Sequence, residues 1–362
     1  MLYGGGDDVA AHPAVLVHSR PDGPVVPLRA AGGEEKLLRP APQGPGDHRP
    51  VPVQPLPGGP AGRILGGGVG ELLRHHLHHG LGGLGGDGGG GGKQLEREGC
   101  TATYLRPGPE GRITAEQVRA ALREDTALVS VMLVNNETGA RLPVEEIAAL
   151  LRDRPALLHT DAVQGFLKVP FTATGLGADY AAISAHKVGG PKGIGALYIG
   201  GRAKNTMPLF FGGGQEGGLR PGTEATAQIA GFARAVQLRL AGLEEGWAHM
   251  EACKAYAREK LGAIPDLRFV GPADAPHILA LSLPGYPSQN IVTELSGQGI
   301  CISAGSACHR GKASHVLTAM GLDKRTAAGT VRVSFGPETA FEDIDALAAA
   351  LLEHRNTRFP ML

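Results

Sequence analysis

Three stretches of this 362-residue chain run apolar and then finish in polar side chains: "ALVSVMLVNNETG", "ALLHTDAVQG" and "ADYAAISAHK". The polar ends carry Asn135, Asn136 and Glu137, then Asp161 and Gln164, then Ser184, His186 and Lys187. A lysine here can form an imine with an aldehyde or a carbonyl compound. Asp161, 26 residues before Lys187, is an anion able to keep a pyridinium nitrogen protonated. A lysine tether plus an acid partner is what pyridoxal phosphate requires of a protein. Ser184 and His186 can donate hydrogen bonds to a phosphate, and Gln164 can reach a phenolic oxygen. Taken singly, each residue has a commoner structural role: the Asp as a helix cap, the His as a satisfied scaffold group. The convergence of three chain segments on one chemistry favours a site.

A site of this kind needs strands that stop along a common edge. "ALVSVMLV" is an almost unbroken apolar run, as expected of a strand buried on both faces. "ITAEQVRAAL" opens on a capping box, Thr114 with Gln117, and continues at helical spacing. "PVEEIAALLRD" is a second helix. The order strand–helix–strand predicts a doubly wound, mostly parallel sheet of the α/β class, whose ligands bind beyond the carboxyl ends of the strands. "GIGALYIG" reads as a further strand after a tight Gly-Pro turn. Beyond Arg202, a glycine-rich loop enters a long helix, with Thr223 able to cap its N-terminus, a place where anions bind. "HILALSLP", "QNIVTELSGQG", "ICISAG", "SHVLTAMG", "TVRVSFG" and "FEDIDALAAALLEH" then alternate strand and helix as a smaller C-terminal α/β domain. The expected division is residues 94–243 for the cofactor-binding large domain and 244–362 for the small one.

Residues 1–93 differ from the rest. They hold 25 of the 57 glycines and 12 of the 27 prolines, yet no Thr, Asn or Phe. Such a segment buries too little apolar surface to offset its chain entropy. It reads as a low-complexity, disordered leader, as a glycine-rich functional loop, or as the product of a shifted reading frame. The complete loss of common residue types favours the shift. "DGGGGGKQ" lacks the first Gly and the final Ser or Thr of a phosphate loop. The His75–His79 tract has no Cys or carboxylate at ligand spacing, so no metal site is expected. Lys+Arg and Asp+Glu are both 35, which argues against a nucleic-acid partner. No 18-residue apolar run or secretory pattern occurs, and four cysteines without a CxxC pair fit a reducing cytoplasm.

"HTDAVQG", "SAHKVGGPKGIGALYIG", "GGGQEGGLRPGTEATAQIAG" and "ISAGSACHRGKASHVLTAMG" resemble the NifS/IscS-like cysteine desulfurases of the class V aminotransferase family. The likeness runs from about Gln94 to about Ala349, in the family's order. It implies a pyridoxal 5'-phosphate enzyme of fold type I that converts L-cysteine to L-alanine and passes the sulfur to a protein cysteine as a persulfide. Carried over by motif, Lys187 and Cys308 are the catalytic residues. Asn136, Asp161, Gln164, Ser184, His186 and Lys187 hold the cofactor, with Thr223 contributed by a partner subunit, so a homodimer is implied. Asn136 and Arg332 hold the substrate carboxylate, Arg332 as a bidentate fork. Cys308 sits in a run of small and basic residues suited to a thiolate; the buried structural thiol is expected to be Cys301. The implied sulfur acceptor is an iron–sulfur scaffold or a tRNA-thiolation enzyme, with no nucleic acid bound directly and no membrane.

The chain departs from this pattern before Gln94. Only "MLY" matches the family's opening. No Thr occurs before Thr101, where a Gly-Thr-Glu phosphate segment belongs, and glycines stand where a ring-stacking histidine belongs. Two other readings follow. One keeps the fold and changes the substrate, to selenocysteine or a small amino acid undergoing aminotransfer. The other is an inactive remnant that serves only as a dimerisation or binding partner.

Overall fold

The computed structural model describes residues 14–18, 92, 95–304 and 314–361. The rest of the glycine-rich leader, including His75–His79, lies outside them, as does the segment containing Cys308.

The large sheet has six strands in the order β2-β1-β3-β4-β5-β6. These are β1 (Ala14–His18), β2 (Thr101–Leu105), β3 (Thr126–Met132), β4 (Leu157–Asp161), β5 (Tyr180–Ser184) and β6 (Gly195–Ile199). The β3, β4 and β5 strands pair in parallel, while β1 runs antiparallel to both of its neighbours and β6 runs antiparallel to β5. Four of the six strands therefore point the same way. Residues 185–194 leave β6 no room for a parallel crossover, which takes a dozen residues or more.

The β1 strand corrects part of the sequence reading. The leader was expected to stay outside the fold as one low-complexity piece, yet five of its residues occupy an interior position of the sheet. "AVLVH" is buried throughout. Its alternate residues face two cores, as the period of a strand requires. Ala14 and Leu16 join Val129, Val131, Ile113 and Val118 on one side. Val15 and Val17 join Leu95, Leu128, Leu157 and Tyr180 on the other. His18 ends the strand with both ring nitrogens satisfied, Nδ1 at 2.9 Å from Thr126 Oγ1 and Nε2 at 3.0 Å from Thr103 Oγ1. Burial holds its pKa below the ordinary histidine value.

Helix α1 (Ala115–Ala121) carries the expected capping box: Gln117 N donates to Thr114 Oγ1, and Thr114 N donates to Gln117 Oε1. Helix α2 (Val144–Leu151) buries Val144, Ile147 and Leu151, spaced i, i+3 and i+7, and forms the crossover from β3 to β4. The link from β4 to β5 is built from turns rather than a regular helix. Helix α3 (Thr226–Leu240) and helix α4 (Leu243–Gly262) meet at Gly242. Helix α3 starts three residues later than Thr223, with Ala225 in the capping position, so Thr223 is an exposed loop residue and not the cap.

The second sheet is antiparallel, in the order β7 (Arg268–Val270), β8 (Ile278–Ser282), β9 (Thr330–Ser334). Its core includes Leu279, Leu281, Val331 and Val333 packed on Cys253, Ala257 and Leu261 of α4 and on Ile344, Leu347 and Leu351 of the C-terminal helix Phe341–Thr357. A second correction concerns the thiols. Among the described cysteines Cys253 is the buried one, whereas Cys301 is exposed. "ICIS" does not extend as a strand: it meets β9 only through a bridge between Ser303 and Arg332.

Candidate functional site

The polar ends of β3, β4 and β5 stand side by side. Met132 is paired with Asp161, and Asp161 with Ala182. Just past the strand ends, Leu133 N donates to Asp161 O at 2.8 Å and Ala162 N to Ala182 O at 2.9 Å. The parallel sheet thus brings three distant segments to one edge, the place where ligands of such sheets bind.

After β3 the chain turns through Asn135 to Gly139. The Asn135 side-chain oxygen accepts from Glu137 N and Thr138 N, both at 2.9 Å. Gly139 closes the turn at φ 73° against Ile278. A side chain there would meet the Ile278 backbone oxygen at 3.1 Å, so the turn is pressed directly onto the start of β8. This turn holds Asn136 with its carbonyl toward the small domain, where Arg332 Nη1 donates to Asn136 O at 2.7 Å. Arg332 is half-buried, and its Nε has no hydrogen-bond partner among the described residues. Burial lowers its pKa, while the Glu137 carboxylate nearby opposes that fall. A recessed guanidinium with a spare N–H is suited to a carboxylate ligand.

Asp161 ends β4. Its Oδ1 accepts from Val163 N at 2.9 Å. Its carboxyl is recessed behind the sheet edge, and desolvation pushes its pKa up to about 6, against smaller opposing effects of the Val163 bond and the Lys187 charge. Lys187 lies in the short 3-10 turn Ala185–Val188 that follows β5. The turn is closed by Gly190 N donating to Ala185 O at 2.9 Å, with Gly189 at φ 88°, a conformation that favours glycine. Ser184 Oγ and His186 Nδ1 are 2.8 Å apart. Burial first, then the charges of Lys187, Lys168 and Lys192, lower the pKa of His186.

These features fit pyridoxal phosphate. The desolvated Asp161 carboxylate has no ion-pair partner in contact among the described residues, as a group awaiting a ring cation should. The Ser184–His186 pair lies among lysine charges that favour a phosphate. The Lys187 charge acts on both Asp161 and His186. The structure therefore brings together Asn136, Asp161, Gln164, Ser184, His186, Lys187 and Arg332. It does not bring in Thr223, which is exposed on the 207–225 loop. Cys308 lies outside the described residues, but both flanks of its segment are tied to this edge. Ser303 exchanges backbone hydrogen bonds with Arg332, and Ser314 Oγ donates to Glu137 Oε2.

Two bases were not anticipated, the half-buried Lys168 and the buried His277. Lys168 follows Asp161 and Gln164 on the same turn, and desolvation together with the charges of Lys187, Arg239 and Arg332 brings its pKa down to about 7. His277, at the start of β8, has neither ring nitrogen bonded among the described residues. Burial and the nearby Lys168, Arg332 and Lys254 hold its pKa near about 2. Among the described residues no group of three or more His, Cys, Asp or Glu is placed to hold a metal ion, and no helix is long and apolar enough to cross a membrane.

A charge test follows from Asp161. Its folded pKa lies above the ordinary carboxylate value of 3.8, so the folded state holds the proton longer than the unfolded state. Stability must therefore fall as pH rises from about 4 to about 6. Without cofactor at pH 8, Asp161→Asn should be more stable than the parent by roughly 2 kcal/mol, and the gap should vanish at pH 4. Urea midpoints of both proteins across this range check it; a gap independent of pH would contradict the desolvated carboxylate.

The chain matches the "Aminotransferase class-V" family over residues 92–347. It is 37% identical over 264 residues to the cysteine desulfurase IscS of Clostridium botulinum, covering 71% of this chain and 66% of that protein. It is 38% identical over 266 residues to a cysteine desulfurase of Nostoc, covering 72% and 66%. The chain thus spans just under two thirds of the length of these relatives. Among solved structures, a "NIFS-LIKE PROTEIN" superposes with a TM-score of 0.67 at 34% identity, over 74% of this chain and 71% of that one.

Proposed function

The chain belongs to the class V aminotransferase family, and from that membership we propose that it is a pyridoxal-phosphate-dependent cysteine desulfurase. The observation that carries the reading is the sheet edge at which Lys187, the desolvated Asp161 and the recessed Arg332 face one site. When bound, the cofactor supplies an electron sink that labilises bonds at the substrate's α and β carbons. Asp161 holds the proton on the ring nitrogen, and Gln164 contacts the phenolic oxygen. Ser184 and His186 hold the phosphate. Arg332 and Asn136 orient L-cysteine through its carboxylate. Lys187 Nζ takes the proton from Cα. The Cys308 thiolate bonds to the substrate sulfur as the Cβ–S bond breaks. The products balance as alanine and a Cys308 persulfide, which a sulfur-acceptor protein of iron–sulfur assembly or tRNA thiolation then takes.

The proposal includes a homodimer in the cytoplasm. Met207, Phe210, Phe211, Ile229, Leu238 and Leu240 are exposed on the 207–240 segment, with Phe211 73% accessible. Apolar surface of this extent favours a partner, and a second copy would carry its Thr223 to the phosphate.

Cys308→Ala tests the sulfur step. Alanine and sulfide formation from L-cysteine with a thiol reductant should fall by on the order of 10²-fold or more, while cofactor uptake stays unchanged. Undiminished turnover in the variant would exclude Cys308 as the sulfur acceptor.

A further inference from the structure

The turn after β4 carries more of the site than Asp161 and Gln164. Phe166 N donates to Ala162 O at 2.8 Å, and Lys168 N and Val169 N both donate to Gly165 O at 3.0 Å. These bonds fold residues 162–169 into a compact turn that brings Lys168 back beside Gln164. Leu167 interrupts the turn at φ 55°, a conformation that costs a residue with a side chain roughly 1–2 kcal/mol. Its carbonyl oxygen accepts from Trp247 Nε1, on α4, at 3.2 Å. The one tryptophan of the chain thus holds the strained residue that aims Lys168.

Aimed this way, Lys168 Nζ donates to Gln164 Oε1 at 3.5 Å. An ammonium group only donates, so it selects the oxygen end of the carboxamide and turns the NH₂ end away. The charged and titratable groups around Lys168 are Lys187, Arg239, Arg332, His186 and His277. No carboxylate forms an ion pair with it among the described residues. A surface lysine filling space would have no reason to sit among cations.

We propose that Lys168 is a positioning residue of this site: its ammonium fixes the Gln164 carboxamide so that Nε2 is presented as a donor to an anionic oxygen of the bound cofactor, and loss of the Lys168 proton releases that carboxamide to turn over. The inference rests on the proposed cofactor for the identity of the oxygen, but not for the coupling of Lys168 to Gln164. The proton leaves near pH 7, because desolvation and like charges both disfavour the ammonium.

The test uses the full-length chain with ¹⁵N-labelled glutamine, the Gln164 side-chain signals being identified by their loss in Gln164→Ala. In the parent protein these NH₂ signals should shift with a midpoint near pH 7. The shift should be lost in Lys168→Met, and in Lys168→Arg the signals should hold their low-pH position throughout. A titration that persists unchanged in Lys168→Met overturns the proposal. Should that variant not fold, persistence in Lys168→Arg overturns it equally. With pyridoxal phosphate bound, the visible band of the parent should acquire the same midpoint, and Lys168→Met should remove it. A chain that takes up no colour counts against the proposed cofactor, while the Gln164 signals still decide the role of Lys168.

Discussion

Lys187→Ala should lower turnover of L-cysteine by on the order of 10³-fold or more and leave a protein that folds as the parent does. The reason is positional. Lys187 lies beyond β5 in a turn whose backbone is closed by Gly189 and by the Gly190 N to Ala185 O bond, so the turn keeps its backbone bonds when the side chain is truncated. What is lost is the amine that, in the proposed mechanism, tethers the cofactor and moves a proton at Cα. No neighbour replaces it: Lys168 is committed to Gln164, and His186 to Ser184. Steady-state alanine production, with circular dichroism as the folding control, checks the prediction. Activity within tenfold of the parent would remove Lys187 from the mechanism.

Leu16→Asp should unfold the large sheet. Leu16 is fully buried between β2 and β3 in the core with Val129 and Val131. Removing the side chain alone, as in Leu16→Ala, costs about 2–5 kcal/mol. A buried carboxylate without a partner adds a desolvation cost of several kcal/mol more. The sum approaches the whole stability of a typical domain, about 5–15 kcal/mol. We expect Leu16→Ala to fold with a lowered urea midpoint and Leu16→Asp to be recovered unfolded or aggregated. Unchanged urea midpoints in both would show that residues 14–18 do not pair within the sheet. The outcome matters for function as well as for fold, because β1 pairs along β3, whose end presents Asn136.

The strand that this prediction targets was the least legible part of the fold. "AVLVH" is a short apolar run with two β-branched residues, a local signal for a buried strand. Averaged over a segment of glycines and prolines, the signal disappears. Strand order was also unreadable, since nothing in the sequence states that residues near position 16 fill the gap between segments near 103 and 129. By contrast, β3, β4 and β5 could be read directly, because each combines an apolar run with a polar end and lies within a strand–helix or strand–turn repeat. The capping box at Thr114 was legible because its chemistry is local and specific.

The candidate site divides along the same line. Asp161, Gln164 and Lys187 stand on consecutive strand ends, so a parallel sheet brings them together whatever the details. Arg332 and Asn136 meet only because the antiparallel strand β9 packs against the 135–139 turn, and the motif resemblance, not spacing, pointed to that pair. Lys168 stands only four residues after Gln164 in the sequence, but the turn that joins them is not a helix and no periodic pattern marks it. The significance of Lys168 depends on its half-buried setting among cations and on the left-handed Leu167, neither of which leaves a mark on residue types. Cys301 shows the converse error. An apolar neighbourhood in sequence predicted a buried strand, but the chain emerges from the Gly299 turn with φ 81° and leaves that thiol in solvent.

The central claim is that Lys187 holds pyridoxal phosphate at this sheet edge. Borohydride reduction of the purified, cofactor-treated chain, followed by proteolysis and mass spectrometry, tests it most directly. The account predicts one phosphopyridoxyl adduct per chain, on the peptide containing Lys187, and none in Lys187→Ala. An adduct confined to another lysine, or none at all on a folded chain, would contradict it.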